Sequence, residues 1–158
     1  MIRLLQIGGW VATALLLVAV LLGVAATAGL SAPLAHLPVA LCATLAALFH
    51  QSLFLFYYVG ISSTLAALLR RERLPAALGA RVPKLRRVVP LSVATLLGAI
   101  AAFTLGGGAH TGAVSPHVHG GFAIVALGSA GGAAWFGGRA LAEVRLAIAA
   151  IEGELSRR

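Results

Sequence analysis

Charge is missing from two long stretches of this chain, and that leaves few folds open. After Arg3 no charged side chain occurs until Arg70, and after Arg87 none occurs until Arg139. A membrane-crossing helix needs about 20 apolar residues at about 1.5 Å rise each. Each uncharged stretch therefore holds two spans and a connection. The expectation is an all-α integral membrane protein, a four-transmembrane-helix bundle with spans near residues 4–30, 38–66, 88–105 and 117–138. The composition agrees: 10% of the 158 residues are charged, against about 25% in soluble domains.

Where the charges do occur is equally informative. The segment "RRERLPAALGARVPKLRR" (Arg70–Arg87) carries seven basic residues and one acid, Glu72, and joins the second and third spans. Arg3 and the charged segment 139–158 fall on the same side as that segment in a four-span chain. Cytoplasmic loops are enriched in Lys and Arg, so both termini are expected in the cytoplasm and the chain in the cell inner (plasma) membrane. The net charge of +8 is then a topology signal that favours anionic lipid headgroups. Nucleic acid is not an expected partner. The apolar run Leu4–Leu30 exceeds the usual signal-peptide core of about 7–15 residues, which reads as a retained first span.

Pro33 and Pro38 bracket an outer loop containing His36, and Pro38 suits the first turn of the second helix. The third span is expected to end at Gly106-Gly107-Gly108, and the fourth to start near Pro116 or His117. No internal repeat is evident beyond the helix-pair arrangement. Gly121, Gly128 and Gly132 share one face of the fourth span, where small residues admit another backbone or a flat cofactor. Beyond Arg139, the spacing of Leu141, Val144, Ile148, Ile151 and Leu155 makes a short heptad seam. It predicts a cytoplasmic amphipathic helical tail (139–158) that continues helix 4 and packs on the Arg70–Arg87 loop or on a second copy. Cys42 is the single cysteine and forms no intrachain disulfide.

All five histidines, His36, His50, His110, His117 and His119, lie in the uncharged stretches, whereas Asp is absent and all four Glu are cytoplasmic. An ionisable residue inside a span is a functional-site candidate. His50 is twenty residues before Arg70 and His119 is twenty before Arg139, which predicts a common level near the outer face. Phe54, Tyr57 and Ile61 continue the His50 face as an aromatic wall. The candidate cofactor-binding residues are His50, His119, Phe54, Tyr57, Gly121 and Gly128. The candidate metal ligands are His50, His110, His117 and His119.

Imidazoles without carboxylates suit copper, zinc or haem iron and disfavour a di-iron carboxylate site, calcium or magnesium. No Cys-x-x-Cys-His occurs, and no nucleophile–base–carboxylate set can be assembled. The first functional expectation is a small redox membrane subunit holding haem b or a copper/zinc-type ion, with a quinone at Tyr57 or Tyr58. Electrons would pass to that quinone or to a partner protein. The second is a non-catalytic subunit or assembly factor acting through helix-packing surfaces, with other membrane subunits or a homo-oligomer as partner. There the histidines only bond neighbouring helices. The third is a small metal carrier or transporter.

Overall fold

The computed structural model describes residues 1–30, 33–73 and 88–157. It comprises four helices: α1 (Ile2–Thr27), α2 (Pro33–Arg71), α3 (Val88–His110) and α4 (Pro116–Leu155). No strand occurs among the described residues. All four helices are long and apolar enough to cross a membrane, as the charge pattern requires, and the chain is a multi-pass membrane protein. Most of the Arg70–Arg87 connection lies outside the described residues.

Each helix packs on two neighbours: α1 on α2, α2 on α3, α3 on α4 and α4 on α1. Helices α2 and α4 also touch across the middle, while α1 and α3 do not meet. Small residues set the spacing. A Cβ placed on Gly98 of α3 would lie 3.2 Å from the Ala126 Cα of α4, so the two backbones are in direct contact. Without a hydrophobic driving force between helices in lipid, such close approach is what holds them.

Both turns use the same device. Gly29 and Gly112 adopt φ of +72° and +77°, the left-handed conformation that glycine takes without a Cβ clash. After α1, Leu30 N–H donates to the Ala25 carbonyl at 2.8 Å and Gly29 N–H to Ala26 at 3.1 Å. After α3, Ala113 N–H donates to Gly108 at 2.8 Å and Gly112 N–H to Ala109 at 3.3 Å. This is the Schellman termination, which satisfies carbonyls that a helix end leaves open. Pro33 and Pro116 then open α2 and α4. The Ser115 hydroxyl accepts from His117 N–H at 3.3 Å, capping α4.

These matched turns expose a repeat that the sequence pattern hid. Ala19 and Ala102, Gly23 and Gly106, Gly29 and Gly112, Pro33 and Pro116, and His36 and His119 are each 83 positions apart. The α1–α2 hairpin and the α3–α4 hairpin therefore repeat one plan, with α2 parallel to α4. His36 faces His119, and Phe54 rests on Gly137, again 83 apart. The expectation of no repeat beyond paired helices is corrected here. Most other positions exchange one apolar residue for another, which helix packing in lipid tolerates.

Helix boundaries differ from the expected spans at three points. Helix α1 ends at Thr27 rather than near residue 30, at the Gly29 turn. Helix α2 begins at Pro33 and carries Pro38 inside it. Proline's fixed φ is helical, and near a terminus it forfeits little. Helix α3 continues through Gly106–Gly108 to His110. Glycine is a weak helix former in water, but in an apolar setting the cost of unpaired backbone groups overrides that propensity.

Past Phe54 and Gly137, α2 and α4 continue together by some 18 residues, or about 27 Å, beyond the starts of α1 and α3. The heptad seam lies here. Leu141, Val144 and Ile151 are at most 2% exposed and share one core with Tyr58 and Leu65, bordered by Leu68, Leu69 and Ile148. The tail is thus one continuous helix with α4, and among the described residues its partner is the far half of α2. Leu141→Ala is expected to cost about 2–5 kcal/mol, as for other buried leucines. Leu146→Ala, at an exposed position of the same helix, should change stability by about 0.5 kcal/mol or less. Reversible unfolding of the purified protein in mixed micelles measures both.

Candidate functional site

Three histidines lie between helices, and each sits in a notch of the same design. His50 Nε2 bonds the Leu5 carbonyl of α1 at 2.8 Å. Its ring lies against Gly8 and Gly9, where added Cβ atoms would fall 2.9 and 3.1 Å from it. His119 Nδ1 bonds the Ala102 carbonyl of α3 at 2.8 Å, and a Cβ on Gly106 would fall 3.0 Å from its ring. The His36 ring lies near the Ala19 carbonyl of α1, with a Cβ on Gly23 placed 3.2 Å from it. In every case the carbonyl belongs to the residue four before a glycine. That carbonyl points along the helix toward the glycine, and the missing Cβ lets an imidazole reach it from the side.

The structure brings His119 together with His36, not with His50. The His36 and His119 rings stand 6.1 Å apart, inclined at 69°, at the end of the molecule that carries both tight turns. His50 lies fourteen residues further along α2 than His36, about 21 Å away along the axis, and its ring touches the level of Ala134. The common level expected for His50 and His119 fails for a simple reason. Helix α4 runs unbroken past Arg139 to Leu155, so Arg139 does not mark the same height as Arg70.

The other expected residues are spread out. His110 and His117 are exposed around the α3–α4 turn. Gly121 and Gly128 have open space where a Cβ would go, so no helix uses them. The aromatic wall is real but starts from His50: His50 stacks on Phe54 at 6.3 Å and Phe54 on Tyr58 at 5.6 Å. Phe54 fills the space left by Gly137, where a Cβ would lie 3.0 Å from its ring. Tyr57 borders the core around Tyr58. His36 was read only as a loop residue. Its signal was the shared spacing of thirteen from Gly23 to His36 and from Gly106 to His119.

An imidazole that donates one N–H to a carbonyl keeps its other nitrogen as a lone-pair acceptor. The His119 Nε2 is such a nitrogen, and the His36 Nδ1 is buried and without a partner among the described residues. Outer carbonyl bonds of this kind orient metal-ligating histidines and fix their tautomers. No group of three His, Cys, Asp or Glu able to hold a metal gathers among the described residues. Ala43, Ala47 and Ala130, each at most 1% exposed, form a packed core at the α2–α4 interface.

No protein-family model matches this chain, and no curated protein or solved structure is similar to it. The geometry therefore stands alone. Gly106→Ala must push the His119 ring from its carbonyl, and about 1–3 kcal/mol of stability should be lost. Gly121→Ala and Gly128→Ala meet open space and should be neutral or stabilising by up to about 1 kcal/mol. Unfolding titrations that rank all three equally would contradict the notch design.

Proposed function

We propose that this chain is a small multi-pass redox subunit, a four-transmembrane-helix bundle with both termini in the cytoplasm, holding a histidine-ligated metal ion near the non-cytoplasmic face. The observation that carries this reading is the His36–His119 pair at the turn end of the molecule. Every charged side chain among the described residues lies toward the opposite end, from Arg3, Arg70 and Arg139 outward. The positive-inside rule puts that charged end in the cytoplasm. Trp10 and Trp135, both half exposed, line one groove with Arg139, which stacks on Trp135 at 4.8 Å. Tryptophan belts of this kind suit the inner headgroup level. From Pro116 to Trp135 the helix rises about 30 Å, one hydrocarbon thickness.

On this reading, Ala19 and Ala102 hold the two imidazoles by their N–H groups, and the free nitrogens face a site without carboxylates. Were the ion copper, it would exchange single electrons with a quinone or a partner protein at the outer face; zinc, which has no redox chemistry, would not. Tyr58, fully buried with an unpartnered hydroxyl, lies far from the pair and is not assigned to that exchange. The close packing of Ala43, Ala47 and Ala130 between α2 and α4 supports a copper-type ion over haem b.

The non-catalytic reading has its own support. His50 and His119 each bond a carbonyl of the adjacent helix, which is sufficient reason for their presence in a packing subunit. Metal analysis of protein purified in mild detergent separates the two. About one equivalent of copper or zinc, lost in His119→Ala, is expected for the metal subunit. A metal-free, monodisperse protein that takes up neither ion would leave the packing reading.

A further inference from the structure

We propose that His36 and His119 form a two-coordinate site for a soft monovalent ion, cuprous copper, bound by His36 Nδ1 and His119 Nε2. This rests on the metal-subunit reading and deepens it, naming the ion, its oxidation state and a ligand, His36, absent from the expected set.

Four observations converge on it. The first is nitrogen availability. His119 commits Nδ1 to the Ala102 carbonyl, which leaves Nε2 as its acceptor. The His36 Nδ1 is buried without a partner, and in the Nε2–H tautomer it too is an open acceptor. An unpartnered buried nitrogen is costly in an apolar interior, and a bound cation removes that cost.

The second is distance. Metal–imidazole bonds of about 2.0 Å, with about 1.1 Å from each nitrogen to its ring centre, put two linearly opposed rings about 6.2 Å apart. The observed separation is 6.1 Å. The 69° between ring planes is free to vary by rotation about the N–metal–N axis.

The third is coordination number. No third His, Cys, Asp or Glu joins the pair among the described residues, and Cys42 is exposed. Zinc sites are almost always four-coordinate. Cuprous copper, a filled-shell monovalent ion, is stable with two nitrogen donors.

The fourth is charge. The desolvation cost of an ion grows with the square of its charge, and here no carboxylate offsets it. A monovalent ion enters this apolar site at about a quarter of the Born cost of a divalent one. The two-fold repeat of the hairpins explains why the site has two equivalent ligands: the same Ala–Gly–Gly–Pro–His plan, 83 residues apart, delivers one imidazole from each half.

The test is cuprous titration of the full chain in nanodiscs under anaerobic conditions, against a chromophoric cuprous chelator. A Cys42→Ser background removes the lone thiol. One equivalent per chain is expected, with X-ray absorption showing two nitrogen scatterers and the edge feature of a linear cuprous centre. Stoichiometric binding should be lost in His36→Gln and His119→Gln, which keep an amide donor for the Ala19 and Ala102 carbonyls, and retained in His50→Ala, His110→Ala and His117→Ala. Circular dichroism and a monodisperse elution profile check that each variant is folded. Copper retained by folded His36→Gln but lost in His50→Ala, or a four-coordinate centre, would overturn the pair while leaving a metal subunit standing. No uptake of cuprous, cupric or zinc ion by the parent chain would overturn the pair and the metal reading together.

Discussion

A helix in an apolar medium satisfies its own backbone, so a neighbouring side chain can reach one of its carbonyls only where the next turn is bare. The imidazole-to-carbonyl bond over a glycine is the interaction on which the inner arrangement of this protein depends. It occurs at Leu5–Gly9 and at Ala102–Gly106, and the His36 ring sits over Gly23 in the same manner. Each bond is worth only about 0.6 kcal/mol on the average of polar contacts between membrane helices. Its larger effect is geometric: it sets the axial register of each hairpin and decides which imidazole nitrogen stays free.

Register then determines what meets across the middle of the molecule. Because the two hairpins follow one plan, the glycine notch that seats His36 on α1 is repeated by the one that seats His119 on α3. Both rings arrive at the same level from α2 and α4, which run parallel. His50 obeys the same local chemistry but has Ala133 at the matching place in the other half. Two imidazoles meet only where both halves supply a histidine.

The two ends of the molecule are held differently. Toward the turns, alanine and glycine let the helices approach closely, as at Gly98 with Ala126 and around Ala43, Ala47 and Ala130. Toward the charged end, α2 and α4 extend past their neighbours and bury large residues, Tyr58, Leu65, Leu141 and Ile151. This is the contrast expected between a region in lipid, where packing replaces the hydrophobic effect, and one in water, where apolar burial regains its driving force. The stiff paired extension leaves the turn end free of any role in holding the termini together.

The order of charged and uncharged stretches by itself determined four long helices, because no other arrangement hides so many apolar residues or satisfies their backbone in lipid. It also determined that the histidines would face no carboxylate, since the acids are confined to Glu72, Glu143, Glu152 and Glu154. Proline and serine marked the start of α4, and the heptad spacing marked the buried face of its far end. Only the tertiary structure decided the partners. The tail seam pairs with α2 because that helix runs on past its hairpin mate, a length that could not be inferred without knowing where α1 begins beside it. His119 pairs with His36 because axial register is set by contacts between helices, here the glycine notches. Counting residues from arginines measures position along one helix and carries no information about its height against another.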